Sequence, residues 1–142
     1  MCRRRGLGAR PRGIGVMGIS MGGYGALLVA EKHPEMTVTV AAISPAVWTS
    51  YPQAKAANGQ AYASAADFAA NDVLTHADAL AKTPVRVAAG YDDPFYPGVQ
   101  ALARALPEAA VTVFGKGCHD GSFFTPQLAP SLAFLASHLA PA

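Results

Sequence analysis

Four short apolar runs divide the chain, and segments with helical spacing of apolar residues alternate with them. Each run is nearly continuously hydrophobic, which is typical of strands that are buried on both faces of a parallel sheet. The runs cover residues 14–19, 38–43, 85–89 and 110–114. Because parallel neighbours need crossover helices between them, this alternation predicts an α/β fold with a parallel sheet of about four strands.

Helical patterns follow the first and third runs, over residues 24–33 and 98–106, and a further helix closes the chain. The segment 51–70 is rich in alanine, glycine, glutamine and serine and has no strand pattern. We expect it to form a loop and a short helix that line a lid or pocket wall.

A G-x-S-x-G pattern, residues 18–22, lies between the first strand and the first helix. In that context the pattern is typical of a nucleophile elbow, where Gly18 and Gly22 let the chain turn sharply and leave the hydroxyl of Ser20 exposed. The first helix would aim its N-terminal amides, that of Met21 included, at an oxyanion. The alternative is a glycine-rich turn of any doubly wound fold, and the flanking strand and helix favour the nucleophile.

A serine nucleophile needs a histidine base and an acid, in the chain order Ser, Asp or Glu, His for this kind of elbow. His33 ends the first helix, His76 lies in a short exposed helix by its pattern, and His138 is in the last turn of the final helix. His119 lies in a glycine-flanked loop between the last strand and the last helix. We therefore predict His119 as the base, the alternative being a loop histidine without a partner.

The third strand ends in two adjacent aspartates, Asp92 and Asp93. Neighbouring side chains point in different directions, so at most one of them can meet the imidazole. Asp93 precedes Pro94, which stiffens the turn, and a stiff acid orients a histidine better than a mobile one. This favours Asp93, although aspartates before proline are also common turn formers.

Four motifs in this order resemble the esterase branch of the α/β-hydrolases, which includes esterase D (S-formylglutathione hydrolase) and the mycolyltransferases. They cover residues 18–27, 44–48, 90–95 and 118–124, and the resemblance extends from about Gly13 to the C-terminus. In esterase D the acid stretch reads Gly-Lys-Asp-Asp-Gln-Phe with the second aspartate catalytic, and the histidine stretch reads Asp-His-Ser-Tyr-Tyr-Phe. The resemblance therefore implies Asp93 as the acid and His119 as the base.

The resemblance implies a serine hydrolase that acts on small-molecule carboxylic esters or thioesters through an acyl-enzyme. The sequence has no ligand cluster at metal-binding spacing and no phosphate-binding loop, so we expect no metal and no cofactor. An acyltransferase would share the same acyl-enzyme, so transfer to an alcohol stays an alternative. Ligands of open parallel sheets bind at the carboxyl ends of the strands. Trp48, Phe95 and Phe124 lie near those predicted ends and are candidates for the substrate pocket, with core packing as the alternative for each.

Members of that family carry a long segment ahead of the elbow, which supplies early strands and the second oxyanion-hole amide. Here residues 1–12 precede the first strand, so we expect residues 13–142 to be a partial domain, the C-terminal half of an α/β-hydrolase fold. The first strand would then have an open apolar edge through which chains could associate. A truncated, weakly active hydrolase is the expectation, and a catalytically silent fragment is the alternative.

The formal net charge is +2, and arginines concentrate in residues 1–12. This basic run lacks interleaved aromatics and predicts a disordered leader rather than a nucleic-acid surface. Glycines and prolines interrupt it where a secretory signal needs a continuous apolar stretch, and no apolar run approaches the ~20 residues of a membrane span. The sequence thus predicts a cytoplasmic location, and secretion stays open if the true N-terminus lies further upstream.

Overall fold

The computed structural model describes residues 13–139 of the 142-residue chain. One parallel sheet runs through this part, in the order β1-β2-β3-β4. Its strands are β1 (Ile14–Ile19), β2 (Thr37–Ile43), β3 (Val85–Gly90) and β4 (Val111–Gly115). Each predicted run is a strand whose bounds shift by at most one residue, which confirms the predicted fold class. The basic segment 1–12, interpreted as a leader, lies outside the described residues.

The described part also holds five α-helices and a short 3-10 helix, Ala77–Leu80. The α-helices are α1 (Met21–Lys32), α2 (Tyr51–Ala57), α3 (Ala65–Asn71), α4 (Tyr96–Ala105) and α5 (Gly121–Leu139). The segment predicted as a loop with one short helix therefore contains two, α2 and α3. A serine caps each of them, because the Ser50 and Ser64 hydroxyls accept backbone N–H groups of the first turn.

Helices cover both faces of the sheet. On one face Leu27 of α1 and Leu102 of α4 pack with Val40 and Val87 in a fully buried core. On the other face α5 contributes Phe123 to a smaller cluster with strand residues. Burying an aliphatic side chain of this size stabilises the fold by about 1.5–3 kcal/mol. Because helices bury both faces of the sheet, the strands are nearly continuously apolar.

A buried arginine ties α5 to the sheet. Arg86 of β3 is 5% exposed and donates to Ser131 Oγ and to Gln127 Oε1, both at 2.8 Å. Burial lowers the pKa of Arg86 below its ordinary value. Although α5 is the longest of the described helices, neither it nor any other helix within residues 13–139 has the length and apolarity needed to cross a membrane.

The strands β1 and β4 form the two edges of the described sheet. Ile14 and Val111, at the starts of these strands, are 47% and 42% exposed. The strand that leads to Ser20 is therefore an edge strand among the described residues, and an edge presents backbone groups that can pair with another strand. Association through this edge stays a prediction.

Candidate active site

The turn between β1 and α1 holds Ser20 in a strained conformation, with φ 57° and ψ −120°. A non-glycine residue in such a conformation costs on the order of 1–3 kcal/mol, which surrounding contacts must offset. The Ser20 N–H donates to Ile43 O at 2.9 Å, and the Ser20 carbonyl accepts from Tyr24 N and Ala46 N at 3.0 and 3.1 Å. The hydroxyl makes no capping bond to α1, so it is free for another partner.

Gly18 is the glycine that this sharp turn requires. A Cβ at Gly18 would lie 2.0 Å from Gly22 O, whereas a Cβ at Gly22 would meet nothing within 4 Å. The expectation that both glycines serve as the small neighbours of the serine is therefore wrong for Gly22, because its second hydrogen faces open space. Gly23 is tightly enclosed instead, since a Cβ there would lie 3.1 Å from Gly18 O and 3.2 Å from Pro45 Cα.

Ser20, His119 and Asp93 form a chain of hydrogen bonds. Ser20 Oγ lies 2.8 Å from His119 Nε2, and His119 Nδ1 lies 2.9 Å from Asp93 Oδ2. The Asp93 side chain is 0% exposed and the imidazole 24%, and Asp93 Oδ1 also accepts the N–H of Phe95 at 2.8 Å. Asp92 is exposed and does not take this place. The structure thus brings together the three residues predicted as nucleophile, base and acid, in that order.

The loop after β4 carries His119 back across the sheet. Ser20 follows one edge strand and His119 follows the other, and three strand spacings amount to roughly 14 Å. The loop lies on the end of β3, where Asp92 N donates to Gly117 O at 3.1 Å. Gly117 has φ +150°, and a Cβ at Gly90 would come within 2.1 Å of Gly117 O. This close backbone contact lets the loop reach the serine.

Asp120 fixes the far end of this loop at the start of α5. Its carboxylate accepts the Ser122 hydroxyl at 2.6 Å and the Ser122 N–H at 2.8 Å. The same hydrogen bonds, the hydroxyl first, hold the pKa of Asp120 below its ordinary value. The loop that bears His119 is therefore anchored on both sides of the histidine.

The first turn of α1 begins directly after Ser20. Met21 is the first residue of the helix, and the N–H groups of a first turn have no intrahelical partner. Their partial positive charge and the helix dipole favour negative charge at this position. Binding of an oxyanion by the Met21 amide stays a prediction.

Aromatic side chains flank the imidazole. The ring centroids of Phe95 and Phe124 lie 5.1 and 5.0 Å from that of His119, and Trp48 meets Phe95 edge-on at 4.7 Å. All three residues predicted for a substrate pocket are half-buried around the histidine. They form an apolar wall beside the hydrogen-bonded chain, and contact with a substrate stays a prediction.

The other three histidines have local partners away from this cluster. His33 Nδ1 lies 3.4 Å from Glu35 Oε1, His76 Nε2 lies 3.0 Å from Ala69 O, and His138 Nδ1 lies 2.8 Å from Phe134 O. His76 precedes the 3-10 helix rather than lying in an α-helix. Within residues 13–139 no group of three or more His, Cys, Asp or Glu residues is arranged to hold a metal ion.

Sequence reasoning missed Ser44 as an individual residue, although it lies in one of the four motifs. It has a left-handed backbone, φ 44°, and is 0% exposed. Its hydroxyl has no hydrogen-bond partner among the described residues. The available signal was the Ser-Pro pair directly after a predicted strand, where a turn is expected.

The parallel sheet, the strained serine turn and the helices on both faces define an α/β-hydrolase-like fold. A similar solved structure is an S-formylglutathione hydrolase from Agrobacterium tumefaciens, with TM-score 0.72 and 21% identity over 93% of this chain and 51% of that one. The enterobactin esterase FES from Shigella flexneri gives 0.68 and 23%, over 92% and 32%. MPT51 from Mycobacterium tuberculosis gives 0.71 and 16%, over 87% and 59%. At these identities the likeness shows the fold.

The chain belongs to the esterase family, since the family model described as "Putative esterase" matches residues 5–135. This confirms the resemblance inferred from the four motifs. The chain spans about half the length, 51%, of the S-formylglutathione hydrolase structure that it matches. A comparison with curated protein sequences finds no match.

Proposed function

We propose that this chain carries the catalytic centre of a serine hydrolase that cleaves small-molecule carboxylic esters or thioesters. The observation that carries the proposal is the hydrogen-bonded chain from Ser20 through His119 to the buried Asp93. Ser20 lies on a strained turn, and the protein belongs to the esterase family. Both observations support the same interpretation.

Each of the three hydrogen-bonded residues has a defined step in the proposed reaction. Ser20 Oγ attacks the carbonyl carbon while His119 Nε2 takes the hydroxyl proton. Asp93 accepts the Nδ1–H bond, which fixes the tautomer and stabilises the imidazolium. The C–O or C–S bond to the leaving group then breaks as His119 returns the proton, which leaves an acyl group on Ser20. Water then attacks the acyl carbonyl carbon while His119 takes a proton from it. The bond from the acyl group to Ser20 Oγ breaks as His119 returns the proton to Oγ, and the carboxylic acid product leaves.

The oxyanion is stabilised at the start of α1, where the Met21 N–H would donate to it. Sites of this fold use a second amide as well, from a loop after an earlier strand. Removing one oxyanion donor costs on the order of 100- to 1000-fold in rate. A protein with only one of the two donors would therefore turn over slowly even where Ser20 is reactive.

The surroundings of His119 favour an apolar substrate group. Trp48, Phe95 and Phe124 would contact the acyl or alcohol portion, because they form the apolar surface next to the imidazole. The His119 side chain is 24% exposed, and water or an alcohol could act as the acceptor in the second half-reaction. Product analysis with an added alcohol distinguishes hydrolysis from acyl transfer.

Covalent labelling tests the proposal without requiring turnover. A fluorophosphonate should modify Ser20 in the folded chain, as peptide mass spectrometry would show. Ser20→Ala should abolish labelling, and Ser137→Ala, at an exposed serine of α5, should leave it unchanged. A folded chain in which Ser20 stays unmodified would contradict the proposed function and favour a catalytically silent fragment.

A further inference from the structure

The segment 44–47, which we call the brace, lies between the turn that carries Ser20 and the loop that carries Asp93. It follows β2 and belongs to no helix or strand. Ser44 is 0% exposed, Ala46 1% and Val47 2%, and Pro45 is also fully buried. Irregular segments normally run over the surface, so four buried residues in succession indicate that the brace is held by specific contacts on both sides.

On one side the brace binds the backbone of the serine turn. The Ala46 N–H donates to Ser20 O at 3.1 Å, and Ile43, which precedes the brace, accepts the Ser20 N–H at 2.9 Å. Pro45 packs so closely that a Cβ on Gly23 would lie 3.2 Å from its Cα. Both polar backbone groups of Ser20 are therefore bonded to the end of β2 and the brace.

On the other side the brace contacts the elements that place the acid. The Ser44 N–H donates to Ala88 O of β3 at 2.7 Å. The Val47 carbonyl packs against α4 so tightly that a Cβ at Gly98 would lie 2.0 Å from its oxygen. α4 begins directly after the Asp93 turn, in which the Phe95 N–H binds Asp93 Oδ1. A displacement of the brace would thus move the serine relative to its acid.

Ser44 sets the direction in which the brace leaves the sheet. Its φ of 44° lies in the left-handed region, which few side chains other than Asn, Asp and Gly adopt readily. The buried Ser44 hydroxyl has no hydrogen-bond partner among the described residues, so no side-chain hydrogen bond accounts for the left-handed backbone. The backbone conformation at Ser44, rather than its side chain, is what the contacts on both sides require.

We propose that the brace positions Ser20 relative to Asp93 and His119, and that the left-handed backbone of Ser44 sets its geometry. This inference rests on the proposed function, because it gives the brace a role in that reaction. Ser44 and Gly98 are positioning residues in this scheme, and neither is within the hydrogen-bonded chain itself. A displacement of about 1 Å at a reacting group can cost on the order of 100-fold in rate.

Three variants test the proposal through the rate constant of fluorophosphonate labelling per folded molecule, well below the unfolding temperature. Ser44→Val, whose branched side chain resists a left-handed backbone, should lower that rate constant on the order of 100-fold. Ser44→Gly should rescue it to near the wild-type value, because glycine adopts this conformation freely. Gly98→Ala should lower it from the α4 side, and Gly25→Ala, whose Cβ meets open space in α1, is the matched control.

Amide hydrogen exchange reads the brace independently of the reaction. Ser44→Val and Gly98→Ala should accelerate exchange at Ser20 and Ala46 while a central β3 amide keeps its protection. Wild-type labelling rates and unchanged exchange in Gly98→Ala would overturn the proposal, even where Ser44→Val does not fold. Equal losses in Ser44→Gly and Ser44→Val would also overturn it. If exchange is faster in these variants but Ser20 is never labelled even in the wild type, the result contradicts the proposed hydrolase and not the role of the brace in holding the serine turn.

Discussion

Asp93 and His119 are joined by a hydrogen bond of 2.9 Å between Oδ2 and Nδ1, although 26 residues separate them in the chain. The Asp93 side chain is completely buried and its second oxygen is occupied by the Phe95 N–H. The carboxylate therefore has a fixed orientation, and it fixes the imidazole in turn. In the proposed reaction, the reactivity of Ser20 would thus depend on a residue that does not touch it.

Asp93→Asn should lower the labelling rate and any esterase turnover on the order of 10⁴-fold, because an amide in this place favours the wrong imidazole tautomer. Asp92→Asn is the matched control, since the neighbouring carboxylate is exposed and outside the hydrogen-bonded chain. Thermal melts should show that both variants fold. A larger loss of labelling rate in Asp92→Asn than in Asp93→Asn would contradict the assignment of Asp93 as the acid.

Gly18→Ala should destabilise the protein by about 1–3 kcal/mol or more, since its methyl group would overlap the Gly22 carbonyl at the serine turn. Gly22→Ala should be neutral or slightly stabilising, because its methyl group meets open space and alanine favours a helix. Urea unfolding measures both differences in the free energy of unfolding. Equal effects of the two substitutions would contradict the geometry of the turn.

Glu31 should make stability depend on pH. Burial, with smaller contributions from Asp72 and Asp78, raises the pKa of Glu31 from 4.5 to about 8. Between these values the folded chain keeps a proton that the unfolded chain releases, so the free energy of unfolding falls as pH rises from about 4.5 to about 8. Glu31→Gln should flatten this slope, and Glu35→Gln, at an exposed position, should retain it. If Glu31→Gln leaves the slope unchanged, other groups cause the pH dependence of stability and the prediction for Glu31 is wrong.

Ser131→Ala should lower the free energy of unfolding by about 1–3 kcal/mol, because it leaves a buried N–H of Arg86 without its acceptor. Thr125→Ala, at an exposed position of α5, is the control for the loss of a hydroxyl. Adding Arg86→Met to Ser131→Ala should recover stability, since the uncompensated charge is removed. Chemical denaturation of these three variants and the wild type would test this, and a double variant no more stable than Ser131→Ala would contradict the buried contact.

Much of the fold could be predicted because its strands are covered on both faces. Nearly continuous apolar runs such as residues 38–43 are typical of strands that are buried on both faces. The order of the motifs separated His119 from the other histidines, and the stiffness of the turn before Pro94 favoured Asp93 over Asp92. Each of these signals is local, and the parallel topology converts local position at a strand end into proximity.

The features that sequence reasoning missed come from long-range packing. Glu31 lies beside Lys32 near the end of α1, a context typical of a solvent-facing turn, yet Glu31 is buried, and Asp72 and Asp78 also raise its pKa. The left-handed backbone of Ser44 occurs in a segment that contacts the serine turn on one side and β3 and α4 on the other. The second helix of the 51–70 segment is short and has a weak apolar pattern, so its serine cap was the one local signal.

The opposite-edge origins of Ser20 and His119 make their contact a reporter of folding order. His119 reaches Ser20 only when β4 has paired with β3 and the loop that bears His119 has docked on the end of β3. Helix formation precedes such long-range strand docking in most small domains. Quenched labelling during refolding would therefore time the final docking event: chemical competence at Ser20 should emerge after the far-ultraviolet circular dichroism signal, in step with the last edge strand.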